Sequence, residues 1–404
     1  MTATHATPQA AHPPTSTATP VWLLALTLAA FATGTDDMVI AGLLPELSAD
    51  LGVSVASAGQ LVTLYSLTYG LGAPLLAVVT TRLARRRLLF AATGAFVVVN
   101  ILMAIAPDYP TLLVLRVIAA ASAALIVPTA LAVVATSAPA ERRGRWLSMV
   151  TAGVTLALIA GVPVGTWIAT LLEWRATFLF VAALGALAMI GMRRLPATNP
   201  DHAESIRSRL APLRRPAILM ASIAFMIAGS GGMMGYIYLG PTMQFLSGGG
   251  TSALGLLILI FGIAGFAGVL LGGRATDRIG PVRTLALGVG EATAMVAVLA
   301  VIANTMAPGS VPFAALAAIT AAWAIGIWSV SPPIQAWLLP RSGGAHAAVL
   351  ALNTSGMYLG FAIGGAVGGV VLGTWGRSAL PLASVVLLVL GGATLAGALR
   401  IGSR

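Results

Sequence analysis

Three ionisable residues stand out in this sequence because apolar residues surround each of them. Asp36 and Asp37 lie together in the stretch 21–44, and Arg116 lies in the stretch 110–135. Charged side chains at membrane depth are costly and usually face a bundle interior or an aqueous cavity. Desolvation favours a neutral carboxyl group and a nearby arginine favours the charged one, so a carboxyl balanced between them is suited to carry a proton.

The depths of these residues match if both stretches cross a membrane. The aspartates lie about 12 Å of helix from the outer end of the first stretch, and Arg116 lies about 9 Å from that of the fourth. Successive helix residues point about 100° apart, so the two aspartates do not face one cavity equally. The alternatives are a polar pair at a helix break near Gly34 and a structural ion pair with Arg116.

Glu291 is a fourth ionisable residue within an apolar stretch, closer to its cytoplasmic end. It is either a possible second protonation site or a protonated side chain at the bundle periphery. The four histidines fall outside the apolar stretches, so proton coupling would depend on carboxylates.

The elements that position these residues are long apolar runs. Only 8% of the 404 residues are charged, 58% are hydrophobic, and the mean hydropathy is +0.96. About 20 apolar residues cross a bilayer as a helix. The pattern predicts an all-α membrane protein with twelve spans at 21–44, 58–80, 88–106, 110–135, 147–172, 176–195, 217–246, 253–273, 284–306, 311–338, 348–374 and 378–400.

Composition excludes several kinds of chemistry. The chain has no cysteine, and all 22 of its basic residues are arginine. Disulfides, thiolate metal sites and the lysine of an ATP-binding P-loop are therefore impossible. We predict no enzyme activity, no cofactor and no metal site, and any active transport must use an ion gradient.

The arginines predict the orientation and the division of the chain. Nineteen of the 22 fall in loops on one side of the predicted spans or at the C-terminus. By the positive-inside rule both termini face the cytoplasm, and this placement of the arginines accounts for the net charge of +11 without a nucleic-acid partner. Because lysine is absent while alanine and glycine are abundant, we predict a bacterial protein, located in the cytoplasmic membrane. We predict a monomeric protein with a disordered tail (1–20), an N-terminal six-helix bundle (21–195), a cytoplasmic linker (196–216) and a C-terminal six-helix bundle (217–404).

An internal repeat supports this division, since glycines and prolines recur at offsets near 200 residues in helix order, as Pro45 and Pro241 do. Asp36 and Asp37 fall on Met233 and Met234 near this register, and Arg116 falls on an apolar stretch, so these three residues have no ionisable counterparts in the second half. The likeness of the halves indicates a pathway between the bundles.

Small residues and adaptable apolar residues give further candidates. Span 5 carries glycines four residues apart with a proline, and span 11 has a comparable glycine face. Both suit close helix contacts that move, although generic tight packing is the alternative. Methionines and aromatic residues suit loosely specific apolar ligands, or simply fill the core. The cavity candidates are Tyr65, Tyr69, Met233, Met234, Tyr236, Trp328 and Asn353.

Several motifs together resemble the major facilitator superfamily, in particular its twelve-helix drug:proton antiporter group, similar to arabinose and chloramphenicol efflux transporters. The stretch from Gly34 to Pro45 resembles the first-helix signature, Gly161-x-Pro163-x-Gly165 with Gly153 resembles the antiporter motif, and Trp174-Arg175 resembles the pair after it. A cytoplasmic loop motif is represented by Arg82 in the first half and by Asp277, Arg278 and Gly280 in the second. The first copy departs from the pattern, with Thr81 where an aspartate is usual.

The resemblance implies the major facilitator fold of two six-helix bundles with a specific assignment of roles. Asp37 matches the acid of the signature and would carry the proton, with Asp36 as partner or substitute. Arg116 matches an arginine associated with proton transfer and would hold the deprotonated carboxylate.

From these observations we predict a proton-coupled transporter in the lipid bilayer that exports small, largely apolar drugs or metabolites by alternating access. A transporter of a sugar or amino-acid-like metabolite is the alternative, and it would need more polar groups in the cavity. The candidates for that are Asn100, Asn304, Gln335 and Asn353. A membrane receptor that binds a ligand without transport is a third possibility.

Overall fold

The computed structural model of the chain describes residues 19–197, 207 and 210–402. Within these residues, twelve helices are long and apolar enough to cross a membrane, as predicted. They are α1 (Val21–Asp50), α2 (Val55–Val79), α3 (Arg85–Ala104), α4 (Tyr109–Ser137), α5 (Ala140–Leu171), α6 (Trp174–Met192), α7 (Pro216–Ile237), α8 (Thr251–Ile279), α9 (Pro281–Thr305), α10 (Phe313–Arg341), α11 (His346–Trp375) and α12 (Ala379–Gly402).

Helix α1 is longer than the sequence pattern indicated. The predicted span ends at residue 44, just before Pro45, and proline disfavours a helix interior because it lacks a backbone donor. The helix instead continues through Pro45 to Asp50. Leu47 is fully buried in this extra segment, so packing outweighs the hydrogen bond that Pro45 cannot make.

Three other helices are irregular, each next to a proline. The predicted span 217–246 is interrupted at Tyr238, and a short helix, Leu239–Ser247, follows. Pro241 explains this break, because its ring excludes a regular helix at the carbonyl four residues earlier. Helix α10 breaks at Val330, just before Pro332, and α5 contains a π-helical turn at Ala157–Gly161, just before Pro163.

The helices pair in the same way in both halves. In the first half α1 packs on α5 and α6, α2 on α4, and α3 on α4 and α6; in the second half α7 packs on α11 and α12, α8 on α10, and α9 on α10 and α12. Each pairing recurs six helices later, so the weak sequence repeat corresponds to two six-helix bundles of the same design.

Two seams join the bundles, and they repeat the same symmetry: α2 packs on α11, and α5 packs on α8. Close approaches along them include Gly262 on the Leu158 carbonyl and Gly365 on Thr63. Both lie near the level of Asp37 or farther from the arginine-rich loops. Gly70 of α2 also approaches Leu359 of α11 on the side of Asp37 nearer those loops, so the α2–α11 seam extends to both sides of that level.

Parts of the predicted tail and linker cannot be compared with the structure. Residues 1–18 of the tail and residues 198–206 and 208–209 of the linker lie outside the described residues. The predicted bundle boundaries and the cytoplasmic orientation of the termini stay predictions.

Candidate functional site

Asp36 and Arg116 form an ion pair inside the first bundle. The Arg116 Nη1 atom lies 3.0 Å from Asp36 Oδ1, and both side chains are fully buried. The same nitrogen donates a hydrogen bond of 3.1 Å to the Asp36 backbone carbonyl, so Arg116 ties α4 to α1. Tyr65 of α2 completes the cluster, with its ring centroid 4.2 Å from the guanidinium carbon. A cation over an aromatic face is attracted by the ring quadrupole.

This pairing differs from the prediction for Arg116. We expected Arg116 to hold the carboxylate of Asp37, whereas the structure places it against Asp36. The physical reason is the rotation of about 100° between consecutive helix residues, which turns only one of the two carboxyl groups towards α4.

Asp37 faces the second bundle instead. Its Oδ2 atom accepts a hydrogen bond of 3.0 Å from the Tyr358 hydroxyl of α11. Tyr358 in turn stacks on Tyr69 of α2, with ring centroids 3.9 Å apart and planes inclined by 19°. The charges of Asp36 and Arg116 cancel. When Asp37 is ionised, it therefore gives this part of the interface its net charge.

Asp37 also lines a cavity of about 120 Å³ between the bundles, which we call the Asp37 cavity. Its walls come from α1, α5, α8, α10 and α11 and are mostly apolar, with a few polar groups. The lining residues are Gly34, Asp37, Met38, Val154, Thr155, Leu158, Gly265, Phe266, Val269, Trp328, Met357 and Tyr358. Such a cavity suits a largely apolar ligand oriented by a few polar contacts.

A second cavity of about 40 Å³ lies within the second bundle and shares Trp328 and Met357 with the first. Its lining is apolar apart from Ser331, and it includes Met233, Phe225 and Phe361. The two cavities therefore adjoin on either side of Trp328.

The structure brings together some of the predicted cavity residues and not others. Trp328 and Met233 line cavities, and Tyr236 borders a smaller void beside Asp37. Tyr65 and Tyr69 contact the charged cluster and Tyr358.

Met234 and Asn353 are buried outside the cavity walls that the structure describes. Met234 lies beside Gly364 and Gly368 of α11, within the second bundle.

The glycines of the predicted antiporter motif pack inside the first bundle. A Cβ atom on Gly153 would overlap the Thr27 carbonyl of α1, one on Gly161 would overlap Thr35 of α1, and one on Gly165 would overlap Val39. Pro163 follows the π-helical turn of α5 and is buried. The comparable face of α11 packs on α7, so these two glycine faces do not meet each other.

Glu291 lies in a groove between α8, α9 and α10 of the second bundle, whereas Asp37 lies on α1 of the first. Its side chain is partly buried and abuts Gly326, where a Cβ atom would overlap the carboxyl group. The structure does not bring Glu291 together with the aspartates, and its protonation role stays a prediction.

The loop-motif residues lie at the ends of helices. Arg82 is exposed between α2 and α3, and Asp277 and Arg278 are exposed in the last turn of α8. Gly280 ends α8 with a φ of +85°, a conformation that favours glycine. These residues are separate from the cavities described above.

Sequence reasoning missed the Tyr358 hydroxyl, and also Met38, Met357 and Phe266 in the cavity wall. Tyr358 stands between Gly356 and Gly360, and a single tyrosine in a glycine-rich helix face was the available signal. The others are ordinary apolar residues that the sequence pattern does not distinguish from core residues.

Comparison with known proteins agrees with this architecture. A family model described as Major Facilitator Superfamily matches residues 26–344. The MFS-type transporter YbcL of Bacillus subtilis (strain 168) is 33% identical over 347 residues, which cover 85% of this chain and 87% of the relative. A chloramphenicol resistance protein of Streptomyces lividans is 33% identical over 264 residues, covering 64% and 67%.

Among solved structures, a D-xylose-proton symporter superposes with a TM-score of 0.75 at 18% identity, covering 93% of this chain and 96% of the other. At this identity the likeness shows the fold alone. Together with the twelve apolar helices, the comparisons make this chain a multi-pass membrane protein.

Proposed function

Because the chain belongs to the Major Facilitator Superfamily, a family of transporters and not of enzymes, we propose that it exports small, largely apolar compounds in exchange for protons. Asp37 is the proton-carrying residue in this proposal. The observation that carries it is the division between the aspartates, since Asp36 neutralises Arg116 while Asp37 lines a cavity between the bundles.

The Arg116 pair has a supporting role in this proposal. It holds α1 against α4 through a contact to the Asp36 carboxylate and another to its carbonyl. Because the pair has no net charge, Asp37 responds to protons and to cargo in the cavity while Arg116 fixes its helix in place. Asp36 is then a partner of Arg116 more than a substitute for Asp37.

The cavity walls support an apolar cargo. Methionine and aromatic side chains make up five of the twelve residues that line the Asp37 cavity, and methionine adapts to ligands of different shapes. The polar residues that a sugar-like substrate would require lie elsewhere: Asn100 donates to the Phe96 carbonyl, Asn304 to the Ala300 carbonyl and Gln335 to Ser331. None of these three, nor Asn353, lines the described walls of the two cavities.

One observation supports export as the direction: a relative with 33% identity is named a chloramphenicol resistance protein. We place the protein in the bacterial cytoplasmic membrane, as a monomer.

Alternating access then follows from differential stabilisation. Protonation of Asp37 and binding of cargo favour opposite-facing states, so each ligand drives the conversion that releases the other.

The test is proton flux in inverted membrane vesicles that contain the protein, followed with a pH-sensitive dye during addition of antibiotics and metabolites. We expect at least one apolar compound to dissipate the pH gradient with the native chain and not with Asp37→Asn. Asp50→Asn is a suitable control, because Asp50 lies at the end of α1 and contacts Arg175. Proton flux that persists when Asp36 and Asp37 are both replaced by asparagine would refute the proposal.

A further inference from the structure

The hydrogen bond between Tyr358 and Asp37 joins two helices that belong to different bundles. Asp37 lies on α1, and the Tyr358 hydroxyl donates to it from α11 across 3.0 Å. Both side chains lie at the wall of the Asp37 cavity. The bond is therefore formed or broken according to the relative position of the bundles.

The surroundings of Asp37 leave Tyr358 as its hydrogen-bond donor in the described part of the chain. Arg116 of α4 is paired with Asp36 on the same helix as Asp37. Tyr236 of α7 donates to the Met38 carbonyl, and Tyr69 of α2 stacks on Tyr358. The cavity residues that α5, α8 and α10 contribute are not ionisable: Val154, Thr155, Leu158, Gly265, Phe266, Val269 and Trp328.

Each partner of this hydrogen bond also packs within its own bundle, and the stacking of Tyr358 on Tyr69 is a second contact between the bundles at this point. On one side, Asp37 belongs to the helix that Arg116 ties to α4. On the other, α11 packs closely on α7, where Gly360 approaches the Met226 carbonyl. The Tyr358 ring is further oriented by Phe361, one turn away, at a centroid distance of 5.6 Å.

We propose that the Tyr358 hydroxyl couples the charge of Asp37 to the relative position of the two bundles. A hydrogen bond to an ionised carboxylate is roughly twice as strong as one between neutral groups. Ionised Asp37 therefore stabilises the arrangement described here, and protonation weakens the link and allows the bundles to move. Tyr358 acts through Asp37 and is a positioning residue; the inference rests on the proposed function.

The experiment uses the absence of cysteine from the chain, which permits site-specific spin labels without background. Labels at Leu83→Cys and Val282→Cys, both exposed at the arginine-rich ends of different bundles, report the separation of the bundles in liposomes. The distance distribution is measured from pH 5 to pH 9. The midpoint of its change with pH is the readout, and the same Tyr358 substitution in an Asp37→Asn background separates an effect on the charge of Asp37 from a purely structural effect.

Tyr358→Phe keeps the ring and removes the hydroxyl. The ionised form then loses its donor, so fewer protons are needed to leave the described arrangement, and the midpoint shifts to higher pH. We expect about one pH unit, a tenfold change in proton concentration. Tyr238→Phe is the matched control, because its hydroxyl also lies at the seam between α2 and α11, where it donates a 2.8 Å bond to the Gly365 carbonyl beside Gly59, and no carboxylate accepts from it. Its midpoint should stay that of the native chain.

The outcomes separate this inference from the proposed function. A pH response that survives Asp37→Asn, or is absent from the native chain, overturns both. Loss of the response in Asp37→Asn together with equal midpoints for Tyr358→Phe and Tyr238→Phe overturns the role of Tyr358 alone. A shift confined to Tyr358→Phe supports both.

Discussion

Asp36 and Asp37 are neighbours on α1, yet one belongs to the interior of the first bundle and the other to the contact between the bundles. Both are nearly inaccessible to solvent, with exposed fractions of 0% and 4%. Asp36 meets a guanidinium, whereas Asp37 meets a hydroxyl and a cavity. Burial alone therefore does not distinguish a structural carboxylate from a functional one. The distinction depends on which group the carboxylate contacts, and on whether that contact lies inside a bundle or between two bundles that move.

The comparison is tested most strongly by removing each carboxylate charge in turn. Asp36→Asn leaves the Arg116 cation buried without a counter-charge, and removing one partner of a buried pair costs about 3–5 kcal/mol. We expect that loss in the free energy of unfolding, measured by denaturant unfolding of the purified protein in detergent. Asp37→Asn should change it by under about 1 kcal/mol, because an amide oxygen still accepts from Tyr358.

Arg116→Gln added to Asp36→Asn is the control for this prediction. The double variant has no unpaired charge and should recover much of the lost stability. Equal losses in Asp36→Asn and Asp37→Asn would contradict the distinction between the two aspartates.

Glycines in the two kinds of contact provide a second, smaller test. Gly153 lies against the Thr27 carbonyl within the first bundle, and Gly262 lies against the Leu158 carbonyl between the bundles. Overpacking typically costs about 1–3 kcal/mol. We expect Gly153→Ala to lower the free energy of unfolding by that amount. Gly262→Ala should instead separate α5 from α8 and lower the transport rate, with less effect on unfolding.

Gly356→Ala is the matched control for both, since its nearest neighbour would be 3.7 Å from the added carbon, an ordinary contact. If Gly153→Ala impairs transport and leaves unfolding unchanged, the α1–α5 contact belongs to the moving seam and not to the bundle interior.

The smallest effect is expected at an exposed ion pair of the first bundle. Arg175 Nη1 lies 2.6 Å from Asp50 Oδ2, with side chains 26% and 46% exposed. Solvent-exposed pairs contribute about 0–1 kcal/mol. Arg175→Gln should therefore lower the free energy of unfolding by less than about 1 kcal/mol in the same denaturant experiment. A loss of stability as large as that of Asp36→Asn would show that burial does not determine how much each ion pair contributes to the free energy of unfolding.

The length of the apolar runs was sufficient to predict the twelve helices, because a bilayer sets that length. The angle between consecutive helix residues also predicted that Asp36 and Asp37 diverge. It did not predict which of them meets Arg116, since that depends on the rotation of α1 relative to α4. The contact between Tyr358 and Asp37 could not be predicted for the same reason, because it depends on how the two bundles dock. The two residues are 321 positions apart in the sequence, so no local pattern indicates their contact.

The π-helical turn of α5 has a consequence for comparing this helix with others. The Val162 amide donates to the Ala157 carbonyl, so this hydrogen bond joins residues five positions apart, whereas the bonds of an α-helix join residues four apart. The turn thus contains one extra residue, which does not add the rise of a regular α-helical residue to the length of α5. Loss of a single residue from Ala157–Gly161 would restore the regular spiral and leave the outer half of α5 facing as it does here. Trp167 would still lie against Gly255 of α8, so an alignment gap at this turn is compatible with the same bundle contact, whereas a gap elsewhere in α5 would turn the outer half by about 100°.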